Sequence, residues 1–272
     1  MKTGKVSMMV VVRLVLLATV SSLGGYVGEA LATDITITGQ FNFRDNRSPN
    51  PAGAIAGDVI AVGATGITPS GSGTTVQAVQ GATSIGVPFL PSTAFPNNYF
   101  AAIPFNPLLT GAWTITATDA AGPVSVLTNA IANPELIPLV NNLQVSGVLL
   151  TPRISWTLPD FTGLGVTRIF LRVRDLDNFI NGASDIIFSS QNLAPTATFF
   201  DIPGNVLQPG KHYSFDVLVD NIVTPQSGPT FLQNRSETFT GVYSTPEPAT
   251  LLLLGFGLAW LTGLTRRRQR RT

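Results

Sequence analysis

Between residues 33 and 244, apolar and polar side chains alternate in short runs, and Gly, Pro or Asn interrupts each run before it reaches helical length. A period of two puts successive side chains on opposite faces of a strand, so such a segment can bury one face and little else. Trp113, Ile115 and Ala117 alternate with Thr114, Thr116 and Thr118, and Asp119-Ala120-Ala121-Gly122 then supplies a turn. Ile35, Ile37, Phe41 and Phe43 are expected to face one way, with Thr36, Thr38, Gln40 and Asn42 facing the other. Further strands are expected over 58–62, 74–80, 99–105 and 124–131, while the Gly-, Ala-, Pro-, Ser- and Thr-rich stretch 46–73 reads as surface loops and edge strands. No stretch outside the terminal segments carries a 3.6-residue period, so the expected fold class is all-β, with two tandem β-sandwich modules.

Composition narrows the chemistry. The chain has no Cys and one His, His212. That excludes a disulfide framework, a thiol nucleophile, a Cys-based zinc site and any mechanism needing two imidazoles. A formal net charge of +1 lacks the basic footprint of a nucleic-acid binder.

The second module is the easier to read. A strand starts at Asn142, Trp156 sits early in the next, and in Arg168–Arg174 residues Ile169, Leu171 and Val173 point inward while Arg168, Phe170, Arg172 and Arg174 point outward. Leu207-Gln208-Pro209-Gly210-Lys211-His212-Tyr213 then feeds a Tyr-x-Phe-x-Val strand whose Tyr213, Phe215 and Val217 point into the core. The early Trp and the Leu-x-Pro-Gly-x-x-Tyr turn resemble a fibronectin type III module over roughly residues 136–244. Trp113 and Trp156 read as core anchors, because their neighbours alternate as core strands do. Residues 132–138, with Pro134 and Pro138, form the expected linker.

The two ends read as addresses. Lys2, Lys5 and Arg13 precede the apolar run Leu14–Val20, and Ala30-Leu31-Ala32 offers the small residues, Ala30 and Ala32, that signal peptidase accepts. At the other end, Pro246-Glu247-Pro248 is followed by an uncharged stretch from Ala249 to Thr265 and then by Arg266, Arg267, Arg268, Arg270 and Arg271. Seventeen helical residues span about 25 Å, the lower edge for a bilayer core of about 30 Å. The terminal arginines would hold that end in the cytoplasm. The two prolines refuse helix and keep Glu247 extended just outside the bilayer.

Pro-Glu-Pro, an apolar helix and a terminal Arg cluster, in that order, resemble the PEP-CTERM sorting signal of Gram-negative, exopolysaccharide-producing bacteria. The resemblance implies that an exosortase, an integral-membrane cysteine protease, removes the tail and passes the protein to the cell surface or extracellular matrix. The expected organisation is therefore a signal peptide over 1–32, a β-sandwich module over 33–133, a fibronectin III-like module over 134–244, and the sorting signal with its transmembrane helix over 245–272.

A search for catalytic machinery finds none. No G-x-S-x-G elbow is present, and Gly71-Ser72-Gly73-Thr74-Thr75 lacks the Lys of a P-loop. His212, beside Lys211, reads as an exposed turn residue. Asp175, Asp177 and Asn178, with Asp185 nearby, are the best metal candidates, for calcium, although a solvated loop after a strand is the favoured reading. Arg168, Arg172 and Arg174 form a basic row that Asp160, Asp175 and Asp177 are expected to neutralise.

The expected function is that of an exported, non-enzymatic structural or adhesive protein associated with extracellular polysaccharide, with no cofactor and no nucleic-acid partner. A carbohydrate- or calcium-dependent binding module is the alternative, and a secreted hydrolase using two carboxylates ranks last. Residues 33–245 carry 8 basic and 13 acidic groups, a net charge of −5, so bulk attraction to an anionic polysaccharide is a weak explanation for binding.

Overall fold

A computed structural model describes residues 35–49, 51, 53, 55–68, 73–90, 97–132, 135–180, 183–223 and 231–247. The expected signal peptide with Ala30 and Ala32, the transmembrane segment, Pro248 and the arginines at 266–271 all lie outside the described residues. Among the described residues the fold is all-β: the single helical element is a 3₁₀ turn at Pro107–Leu109, and no helix is long and apolar enough to cross a membrane.

The strands of the first half are β1 (Gly39–Arg47), β2 (Gly57–Thr65), β3 (Thr75–Gln80), β4 (Thr83–Gly86), β5 (Phe89–Leu90), β6 (Asn98–Pro104), β7 (Thr114–Asp119) and β8 (Gly122–Leu127). Those of the second half are β9 (Asn141–Val148), β10 (Thr151–Thr157), β11 (Arg168–Ile180), β12 (Ala183–Ser189), β13 (Phe199–Asp201), β14 (His212–Val223), β15 (Phe231–Phe239) and β16 (Tyr243–Ser244). The four-stranded sheet β4-β3-β7-β8 and the three-stranded sheet β13-β10-β9 stand beside one nine-stranded sheet ordered β12-β11-β14-β15-β1-β2-β6-β5, with β16 paired to β14.

Two hydrophobic clusters occupy the interior. One gathers Trp113, Ile115 and Ala117 with Val62, Ala64 and Tyr99. The other gathers Trp156, Ile169, Leu171, Val173, Tyr213 and Phe215. Both tryptophans are anchors, and Trp113 is wholly buried. Each large apolar side chain buried this way stabilises the fold by about 1.5–3 kcal/mol relative to exposure.

Two tandem modules would each close their own sheets; here the two halves share one. Strand β1 lies parallel to β15, with Arg44 opposite Asn234 and Arg47 opposite Glu237. The described residues form one compact unit. The expected linker is pinned rather than free. The Asn46 amide donates to Ile137 O at 2.9 Å, the Ser236 hydroxyl to Pro138 O at 3.0 Å, and Val140 N–H to Thr238 Oγ1 at 3.1 Å.

The alternation expected through residues 35–43 breaks at the start of β1. Ile35 and Ile37 join the first cluster, but Phe41 and Phe43 face a cavity. Gln40 and Asn42 take the sandwich-facing positions and donate to Leu127 O, Gly111 O and Asn129 O. Gly63 makes room for the Phe41 ring, since a Cβ there would collide with Phe41 Cζ and with Tyr99 O.

A candidate anion cavity and the sorting segment

The outward face of Arg168–Arg174 is not a solvent face. Phe170 and Arg174 are 5% exposed, and Asp216 and Asp220 on the same face of β14 are fully buried. The neighbouring strands β11, β14, β15 and β1 contribute Arg168, Arg172 and Arg174; Asp216 and Asp220; Arg235 and Glu237; and Asp45 and Arg47. Nine charges thus meet in a sheet interior, five positive and four negative.

Pairing makes this tolerable, because a buried charge without a partner costs several kcal/mol. Asp220 accepts from Arg235 Nε at 2.7 Å and Nη2 at 3.0 Å, and also pairs with Arg168 at 2.7 Å. Arg174 holds Asp216 at 3.2 Å through Nε and Glu237 at 2.9 Å through Nη2. Arg47 Nε reaches Asp45 at 2.7 Å and Glu237 at 3.3 Å. Phe170 serves as an apolar spacer, with the guanidinium carbons of Arg168, Arg172 and Arg235 at 5.0, 5.2 and 5.2 Å from its ring centre.

Burial raises the Asp216 carboxyl to about 7 against the pull of Arg174, and the negative charge of Glu237 adds to the rise. Burial works the same way on Glu237, but Arg174, Arg47 and Arg172 outweigh it and hold that carboxyl far below the usual range. Burial also raises Asp45 and lowers Arg172 to about 10. The group is therefore positive by at least one charge at neutral pH.

Over this face opens a cavity of about 370 Å³. Arg47, Arg172, Arg174, Arg235 and Glu237 form its charged floor, and Phe41, Phe43, Leu90, Phe100, Ile186 and Leu232 supply apolar walls. Ile186 lies on β12 and Leu90 on β5, the two ends of the strand order. A flat sheet at about 4.8 Å per strand would hold them about 34 Å apart. That they line one cavity means the sheet curls towards it.

The sequence-predicted residues fall elsewhere. Asp175, Asp177 and Asn178 lie within β11, which runs on to Ile180, rather than in a loop after a strand. Asp177 faces His212, with Nδ1 2.8 Å from Oδ1, and accepts His212 N–H at 3.0 Å, which lowers its pKa. Asp175 accepts Asp177 N–H, and Asn178 turns to Asp185 at 3.4 Å. Among the described residues no group of three or more His, Cys, Asp or Glu is placed to hold a metal. Asp160 caps its own turn by accepting Thr162 N–H. The basic row is thus neutralised by Asp216, Asp220 and Glu237, not by Asp160, Asp175 and Asp177.

The sorting segment joins the folded body without a spacer. Tyr213 and His212 pair with Tyr243 and Ser244. Thr245 is buried; its N–H donates to Lys211 O at 2.9 Å, its hydroxyl donates to Gln208 O at 2.6 Å, and it accepts Lys211 N–H at 2.9 Å. Gly210 N–H is shared between Thr245 O at 3.2 Å and Pro246 O at 3.1 Å. Gly210 has φ +74°, which the Pro209-Gly210 turn needs, and a Cβ there would touch Glu247. Pro246 is half-buried and Glu247 exposed.

Residues 244–271 match the PEP-CTERM protein-sorting motif. The chain therefore carries a signal that implies recognition by an exosortase, export and transient membrane anchoring. No curated protein matches the chain. Among solved structures it is similar to a cytokine receptor complex at 16% identity and TM-score 0.24, over 80% of this chain and all of that one. It is also similar to the chicken CNTN1 FN1-FN3 domains at 10% identity and TM-score 0.26, over 72% of this chain and 67% of that one.

Proposed function

We propose that the mature protein is a non-enzymatic component of the cell surface or extracellular matrix of a Gram-negative bacterium, sorted there by an exosortase and acting structurally or adhesively within exopolysaccharide. The observation that carries this reading is the sorting motif at 244–271 fused directly to an all-β body. A body of paired strands with both tryptophans in its cores suits a load-bearing or spacing part. Signal peptidase at Ala30-Leu31-Ala32 and the exosortase at Pro246-Glu247-Pro248 are its processing partners, with the arginines at 266–271 stopping transfer.

The test replaces Pro246-Glu247-Pro248 with three alanines in the producing cell and follows size and location. The expected result is a protein larger by the uncleaved tail and retained in the membrane fraction. Processing and release unchanged by the replacement would overturn the reading.

A second reading, a ligand-binding module, is favoured by one observation: the arginine-floored cavity has open volume against its charges.

A further inference from the structure

The cavity floor has hydrogen-bond donors left over. Arg47 has a side chain only 5% exposed, yet it commits Nε alone, to Asp45 and Glu237. Its two Nη groups meet no protein acceptor among the described residues, although Arg47 lines the cavity. Arg174, its side chain 7% exposed, commits Nε and Nη2 and keeps Nη1; Arg235, its side chain 9% exposed, does the same. Three nearly buried guanidinium groups therefore present unspent N–H donors towards one open volume.

Unspent donors on buried guanidinium groups are costly unless an acceptor meets them. Water can serve, but the rest of the wall argues for something less polar: Phe41, Phe100, Leu90 and Leu232 face the same space. A ligand that satisfies both surfaces has a planar, bidentate acceptor at one end and a hydrocarbon body at the other. Guanidinium forks match carboxylate geometry in this way.

We propose that this cavity is a binding site for an amphiphilic organic carboxylate, with the carboxylate on Arg47, Arg174 and Arg235 and the apolar body against Phe41, Phe100 and Leu90. Five of the eight basic residues between 33 and 245 stand in this cluster against four of the 13 acids, so the cavity is a positive island in a net-negative body. The local excess supplies the attraction that the overall charge lacks. A carboxylated sugar would satisfy the floor but leave its hydroxyls against phenyl and isobutyl groups, which disfavours it.

The full chain is titrated calorimetrically with octanoate, with octan-1-ol as the same body without charge, and with glucuronate as a carboxylate on a polar ring. The expected result is one octanoate per chain, bound at least tenfold more tightly than either comparison ligand. Ala102→Leu narrows the cavity from β6 without touching a charge, and is expected to weaken octanoate at least tenfold. Arg47→Gln should weaken octanoate similarly while leaving octanol unchanged; should that variant lose its circular-dichroism signature, the Ala102→Leu result and the ligand ranking decide. Octanoate and octanol binding alike, octanoate binding indifferent to Ala102→Leu, or glucuronate binding tightest would each overturn the proposal.

Discussion

Asp216 and Glu237 grip the same guanidinium from adjacent strands, Asp216 at 3.2 Å from Arg174 Nε and Glu237 at 2.9 Å from its Nη2. Two carboxylates so placed cannot ionise equally; both are buried, and the combined pull of Arg174, Arg47 and Arg172 on Glu237 leaves the proton on Asp216.

Stability should therefore fall as pH rises through neutrality. In the unfolded chain Asp216 releases its proton near 3.8, while in the fold it holds it to about 7. Between those values the folded state binds the extra proton, so each unit of rising pH removes up to about 1.4 kcal/mol. Asp45, also raised by burial, acts in the same direction. Glu237 acts oppositely, but its window lies below its unfolded value of 4.5, and Arg172, lowered by burial only to about 10, and Arg174, raised by its carboxylate partners, stay charged over this range. The urea midpoint is expected to drop from pH 5 to pH 8, with Asp216→Asn flattening the profile. A wild-type midpoint that climbs over this range would count against the assignment.

Thr245 should govern how readily the sorting motif leaves the body. Thr245→Val keeps the shape but strips Lys211 N–H of its side-chain acceptor and Gln208 O of its donor. Local opening of residues 244–247 becomes easier by about 1–3 kcal/mol, while the two cores are untouched. Pulse-chase labelling should show faster tail removal with the melting temperature nearly unchanged. Slower removal would show that the protease needs the docked strand.

The Tyr213 hydroxyl accepts Gln208 N–H at 2.8 Å and closes the turn that holds Pro209-Gly210. Tyr213→Phe leaves that N–H without its acceptor and should cost about 1–2 kcal/mol in urea denaturation. Because Thr245 leans on the same turn, the variant should also loosen the sorting segment, which limited proteolysis near residue 246 would detect.

Unfolding should be one cooperative event. Fragment 33–133 alone would leave Asp45 and Arg47 on a bare edge, since Glu237 and Arg235 reach them only from β15. We expect a single transition for the full chain and no dispersed NMR spectrum for that fragment. A folded fragment 33–133 would show that the two halves are energetically separate.

Much of this architecture was legible in the residues. The alternation around Trp113 reports a period-two burial that local sequence encodes, and the Leu207–Tyr213 turn delivers Tyr213, Phe215 and Val217 to the core as read, although the opposite face of β14 is buried too. The cavity was not legible, because Arg168, Arg172 and Arg174 look the same whether their face meets water or another buried strand. A faint signal existed: Asp45 and Arg47, Asp216 and Asp220, and Arg235 and Glu237 stand two or four residues apart, even separations that put each pair on one face of its strand. Recognising them as one cluster requires knowing that β1 sits beside β15, a pairing across 190 positions that no local pattern contains.

That pairing also sets a timetable. Arg44 reaches its partner Asn234 only after 190 further residues have been made, which at about 5–20 residues per second takes about 10–40 s. Until then β1 offers a vacant edge, and Arg47 stands without Glu237. Strand β15, followed among the described residues only by the two-residue β16, completes the first strand, and the sorting motif begins five residues after β15 ends. Assembly of the body and arrival of its address are thereby made nearly simultaneous, so a chain truncated before β15 would lack both the means to finish folding and the signal to be delivered.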